Sequence, residues 1–214
     1  MKTAHAFYKK YINGELKLAK WQKVGTACLT IAVAGVIGWL FEFVFYFFNG
    51  GMQEWYYQGG NFLPWINIYA LGAVMIFALT VKLKKKPWLV FLISAISTSL
   101  LELIAGWLIY HIGNGTRYWN YNIEILNFGN IGGFVCFRSF IIFGLAAMML
   151  MYLVIPAIAR LSQLMPKNVF LTLSIGLLCI FMADEIYNLL ITKMFNLPNA
   201  IEIYQANGLK YVAN

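Results

Sequence analysis

Five apolar runs constrain this chain more than any other feature, at roughly residues 24–48, 65–81, 88–110, 133–155 and 168–195. Most reach the ~20 residues a helix needs to cross a bilayer; the second is shorter. Each run is continuously apolar rather than alternating, unlike the strands of a membrane barrel. The expected fold is therefore an all-α membrane protein, a bundle of about five transmembrane helices. Charged residues supply only 11% of the 214 positions, less than half the ~25% of soluble domains. Pro64, Pro87, Pro156, Pro166 and Pro198 all fall near the ends of the runs, where a missing N–H does least harm.

The net charge of +8 is distributed as a membrane topology would require. Lys2, Lys9, Lys10, Lys17, Lys20 and Lys23 precede the first run, and Lys82, Lys84, Lys85 and Lys86 separate the second from the third. Arg160 and Lys167 separate the fourth from the fifth, whereas the alternate loops carry only Arg117, and the end of the chain Lys193 and Lys210. Positive loops stay inside, so a cytoplasmic N-terminus and an external C-terminus are expected. The bilayer accounts for the basicity without a nucleic-acid partner. Residues 1–23 then form a basic cytoplasmic or interfacial segment, 24–196 the transmembrane domain, and 197–214 a short external tail. The first segment mixes aromatic residues with lysines and is interrupted at Asn13-Gly14, a pattern open to both an interfacial helix and a loose tail. The first apolar run is longer than a signal-peptide core and has no small-x-small site after it, so no cleavable signal is expected.

Chemistry-bearing motifs are few. Cys28, Cys136 and Cys179 are isolated within runs and read as small buried hydrophobes. His5 and His111 form no metal cluster, and no glycine-rich phosphate loop with its lysine is present. No cofactor and no metal are expected.

The ionisable residues inside the runs are more informative. With the expected topology, Glu42, Glu102, Asp184, Glu185 and Arg138 all fall in the external half of the membrane. Charges at such depth turn inward, pair, or border water. Two readings stay open, a structural salt-bridge knot centred on Arg138 and a polar cavity open to the outside. One arginine cannot neutralise four carboxylates, so the surplus calls for protonation, water or a cationic ligand. Asn61, Trp65, Asn67, Tyr69, Arg117, Trp119, Asn120 and Tyr121 lie in the adjacent loops or at their edges. The candidate cavity set is Glu42, Glu102, Arg138, Asp184, Glu185, Asn67, Tyr69, Trp119 and Tyr121, with no catalytic residue assigned. Gly129, Gly132 and Gly133 permit either a re-entrant turn or close helix packing.

The stretches "GWLFE", "LPWINIYALG", "LELIAGW", "YWNYN" and "NIGGFVCFRSFIIFG" follow one another in this order. Over roughly residues 35 to 156 the chain thereby resembles the ABC-transporter type IV family of small bacterial polytopic membrane proteins. The resemblance implies a permease role and marks Gly38, Trp39 and Glu42, then Pro64, Tyr69 and Gly72. It continues with Glu102, Trp107, Trp119, Tyr121, Asn130, Gly133, Cys136 and Gly144. Asn120 stands where the loop pattern often has an acid, and Phe134 where a basic residue is expected. Asp184 and Glu185 lie beyond the resemblance.

The expected function is a membrane transport protein or permease-like subunit in the bacterial cytoplasmic membrane. A charged cavity would take a small solute or lipid ligand, and a separate ATPase or other membrane subunit would be its partner. Two alternatives stand beside it. One is a non-catalytic membrane partner or regulatory subunit. The other is a membrane-embedded enzyme acting on lipid or envelope precursors through paired carboxylates, for which a nucleophile or metal constellation is missing.

Overall fold

The computed structural model describes residues 2–52 and 55–210; Met1 of the expected basic segment and residues 211–214 of the expected tail lie outside them. Every regular element among the described residues is helical. In chain order these are α1 (Lys2–Asn13), α2 (Lys20–Asn49), α3 (Asn67–Leu83), α4 (Pro87–Ile112), α5 (Phe137–Leu164), α6 (Lys167–Phe195) and α7 (Ala200–Ala206). Of these, α2, α4, α5 and α6 are long and apolar enough to cross a membrane, and α3 is a shorter apolar helix. The shortfall of the second run is thus real.

Local chemistry sets the boundaries. Pro87 occupies the first position of α4, where its missing N–H is no loss. A left-handed Asn196 closes α6. Asn199 and Glu202 cap α7 reciprocally, each side chain accepting from the other's backbone N–H at 3.0 and 3.1 Å. Pro156 departs from expectation. It does not end a run but sits inside α5, directly after a π-turn at Leu150–Val154. The wider turn accommodates a residue that has no N–H and would clash with the preceding turn of a regular helix.

The described residues divide into two compact units, one of residues 2–16 and 74–154, the other of 17–52, 55–73 and 155–210. In the first, α4 packs against the opening half of α5. Val90, Ser94, Thr98, Glu102 and Gly106 are buried at four-residue steps, so they form one ridge along α4. Small side chains in that ridge let the partner helix approach closely. Helix α1 buries Phe7 and Tyr11, one turn apart. Tyr11 donates from its hydroxyl to the Met151 carbonyl at 2.8 Å, and Lys84 donates to the Tyr11 carbonyl at 2.8 Å. The basic segment therefore contains a helix docked on its own chain, and it stops at Asn13-Gly14.

In the second unit, α2 lies along α6 and the closing part of α5. Its contact face is nearly all small: Gly25, Thr26, Thr30, Ala32, Ala34, Gly35 and Gly38. A Cβ at Gly38 would fall 2.1 Å from the Tyr69 ring, so only glycine fits there. Trp65, Ala70 and Phe181 form the core of this unit, with Ile31, Val36 and Leu178 around it. Aromatic stacking fastens the loop after α2. Trp39 lies on Phe43 at 4.9 Å, and Trp55 packs on Phe43 and Phe47 at 4.7 and 4.0 Å. The end of the chain folds back on the same loop. Tyr204 donates to the Phe62 carbonyl at 2.6 Å, and Ala200 is fully buried. All three cysteines are free; Cys136 is buried, Cys28 half-buried, and Cys179 exposed on α6, contrary to the expectation that all are buried.

Candidate functional site

Each unit has a polar core, and the candidate residues are shared between them. In the first unit, Glu102 projects from the small-residue ridge of α4 and is buried. Tyr121, in the loop between α4 and α5, donates its hydroxyl to Glu102 Oε1 at 2.6 Å. Burial pushes the Tyr121 hydroxyl well above its ordinary range, and the Glu102 charge with its hydrogen bond adds to that shift. Tyr121 therefore stays protonated and serves Glu102 as a donor.

Arg138 opens α5 beside this pair, with its guanidinium 5.1 Å from the centre of the Tyr121 ring. Its ion pair is with Glu124 at 2.5 Å, both side chains largely buried. Glu124 is outside the expected set, so the knot imagined around Arg138 has a different carboxylate in it. Arg138 also donates to the Ile125 carbonyl. Trp119 donates from its indole to the Phe134 carbonyl at 2.9 Å. Arg117 lies over the rings of Tyr110 and Phe134 at 4.5 and 4.6 Å and donates to the Gly132 carbonyl at 3.0 Å. Phe134, where a basic residue is expected, is thus the platform for a cation supplied from earlier in the loop. Gly133 has φ of +79°, and a Cβ there would meet Asn122, Arg117 and Asn120 within 2.8 Å.

In the second unit, Asp184 and Glu185 hold the loop before α3. Asp184 accepts from the Phe62 and Leu63 backbone N–H groups at 3.0 and 2.9 Å, and from the Trp65 indole at 2.9 Å. Asn188 adds a fourth donor at 2.8 Å. A carboxylate has about four lone-pair sites, so these donors saturate it. Glu185 accepts from Asn61 at 2.7 Å and Asn67 at 3.0 Å. At both carboxylates the partners are uncharged N–H donors. Asn188 also accepts from the Ala200 N–H at 2.8 Å, tying α7 to the clasp, and it lies in a second π-turn at Tyr187–Ile191. Tyr69 packs on Gly38, and Glu42 is half-buried one turn further along α2.

Among the described residues no three His, Cys, Asp or Glu side chains could hold a metal ion. His111 stacks on Trp107 at 4.3 Å. The Ser139 hydroxyl donates to the Cys136 carbonyl at 2.8 Å.

The family described as "Putative ABC-transporter type IV" matches residues 29–189. The chain belongs to this family. The match runs from the first turns of α2 to α6, so it takes in Asp184 and Glu185 as well as Glu42, Glu102 and Arg138, and extends beyond the resemblance read from the motifs. No curated protein and no solved structure matches the chain. A multi-pass helical membrane protein of the ABC-transporter type IV family is what sequence and fold jointly establish.

Sequence reasoning missed Glu124 and Asn188. The signal for Glu124 was a single acid flanked by isoleucines in the loop preceding Arg138. For Asn188 it was the four-residue spacing from Asp184 on one helix.

Proposed function

We propose that the chain is a permease-like subunit of a transport system in the bacterial cytoplasmic membrane. Its N-terminus is cytoplasmic, its C-terminus external, and a separate ATPase chain supplies the energy. Family membership over residues 29–189 supports transport. The lack of a phosphate-binding loop in the sequence supports ATP hydrolysis on another chain. Lysines before α2 and between α3 and α4 support the orientation.

The observation that carries the reading is Glu102, a carboxylate buried within a membrane-length helix and bonded to a loop phenol. Such a group marks a solute or proton path more often than a packing device. The test extracts the tagged full-length chain from its native membrane in mild detergent and measures ATP-driven solute uptake in vesicles. Transport requires a stoichiometric ATP-hydrolysing partner, and uptake that fails in Glu102→Gln while the complex stays intact. A chain that purifies alone, and whose deletion leaves ATP-driven fluxes unchanged, overturns it.

The saturated carboxylate of Asp184 favours a second reading, a non-catalytic membrane partner with architectural charges. An intact complex with unchanged uptake in Glu102→Gln would favour it.

A further inference from the structure

The loop from Asn122 to Phe137 buries Val135 and Cys136 but turns most of its large apolar side chains outward. Ile123, Ile125, Leu126, Phe128 and Ile131 are exposed, as is Phe137 where α5 begins. Glu124, the one acid of the segment, is buried and ion-paired to Arg138. The asparagines turn to one another and to the backbone. Asn130 donates to the Asn122 side chain at 3.0 Å and accepts from the Gly133 N–H at 2.7 Å, while Asn127 donates to the Asn122 carbonyl at 3.1 Å. A loop bathed in water has the opposite polarity, with polar groups outward and apolar ones under cover.

The backbone is arranged the same way. Tyr121 N–H bonds the Gly133 carbonyl, Ile131 N–H the Val135 carbonyl and Phe137 N–H the Phe128 carbonyl, at 2.8–3.0 Å. Irregular backbone near hydrocarbon requires such internal satisfaction. Leu126 has φ of +54°, a left-handed conformation costly for a leucine, and 65% of its surface is exposed. Arg138 grips the chain just before it, through the Glu124 carboxylate and the Ile125 carbonyl. The exposed apolar surface runs on into that of a membrane-length helix, because Phe128 packs at 5.7 Å on Phe137, the exposed first residue of α5.

We propose that residues 122–137 form a lipid-inserted tip. Ile123, Ile125, Leu126 and Phe128 seat at the boundary between headgroups and acyl chains, and Arg138 is the staple that holds them outward. The occupant of the surface is phospholipid, because the surface extends one the bilayer already covers. This assignment stands independently of the transport reading.

The test places an environment-sensitive NBD label on Leu126→Cys and, separately, on Phe128→Cys and Thr116→Cys. The background carries Cys28→Ala, Cys136→Ala and Cys179→Ala in the full chain, with one copy per phosphatidylcholine nanodisc. Labels at 126 and 128 should emit at short wavelength and lose most of their emission to doxyl-labelled acyl chains, with little loss to aqueous iodide. The label at 116, on the exposed polar start of the loop, should show the reverse. Iodide quenching at 126 and 128 would overturn the proposal, and so would protection from both quenchers, which means protein covers the tip. Adding Arg138→Gln should red-shift the label at 126 and open it to iodide. An unchanged depth in a folded Arg138→Gln chain would overturn the staple. Should that variant not fold, the labels at 126 and 128 with Arg138 intact still decide the insertion.

Discussion

The two polar cores solve one problem by different chemistry. Around α4 and the start of α5, carboxylates meet a cation and a phenol, in the pairs Glu124–Arg138 and Glu102–Tyr121. Around α6, Asp184 and Glu185 accept from backbone amides, an indole and asparagine side chains. The first arrangement depends on charge balance, and one substitution leaves a buried ion behind. The second depends on every partner being a donor, so it is sensitive to hydrogen-bond polarity rather than to charge. A carboxylate in an apolar helix is thus no single signal: its meaning depends on what the neighbouring loop offers.

The contrast can be broken from either side. The largest expected effect is Arg138→Leu, which strands the buried Glu124 and should cost about 3–5 kcal/mol, read as lost resistance to unfolding in mild detergent. If that variant unfolds like the parent, the ion pair is ornamental and the two cores do not differ as described. Next is Asp184→Asn, nearly isosteric, which turns an NH₂ toward N–H donors and should cost about 1–3 kcal/mol. Glu102→Gln is its matched control. An amide oxygen still accepts from Tyr121, so under about 1 kcal/mol should be lost. Equal losses at 184 and 102 would erase the distinction between polarity and charge.

A last expected effect is at high pH, and it is a change of slope. Folding raises the Tyr121 hydroxyl above its unfolded value of about 10, as burial beside Glu102 dictates. Its contribution is therefore complete below that value and fades as pH climbs through the higher folded one. Tyr121→Phe should lose about 1 kcal/mol at neutral pH and show a flatter alkaline decline in a pH series of melting curves. An unchanged slope would remove Tyr121 from the titrating groups that matter.

Much of this was legible in advance, and the parts that were not share a cause. The apolar runs follow from composition, the stop at Asn13-Gly14 from turn chemistry, and the inward placement of Glu102 from the cost of a charge in hydrocarbon. Ser94, Thr98, Glu102 and Gly106 sit at four-residue steps and announce a face. The partner of Arg138 was hidden because Glu124 reaches it across a loop with no period to read. The clasp on Asp184 was hidden because two of its four donors are backbone amides, which no side-chain letter records. Pro156 misled for a related reason. A sequence shows where a regular helix would break, not that a wider turn has absorbed the break.

That wider turn absorbs a residue that a regular helix could not. The π-turn at Leu150–Val154 puts one residue more into α5 than a regular helix needs over the same rise, an offset of about 100° around the axis. Because the extra residue is absorbed within the turn, deleting one residue there would restore a regular helix and leave Ile155, Ile158, Ala159 and Ser162 on the face they now bury. The Ser162 carbonyl would still accept from Gln22, now at 3.0 Å. A single deletion within Ile155–Leu164 has no such slack, and it would turn the residues beyond it by about 100°.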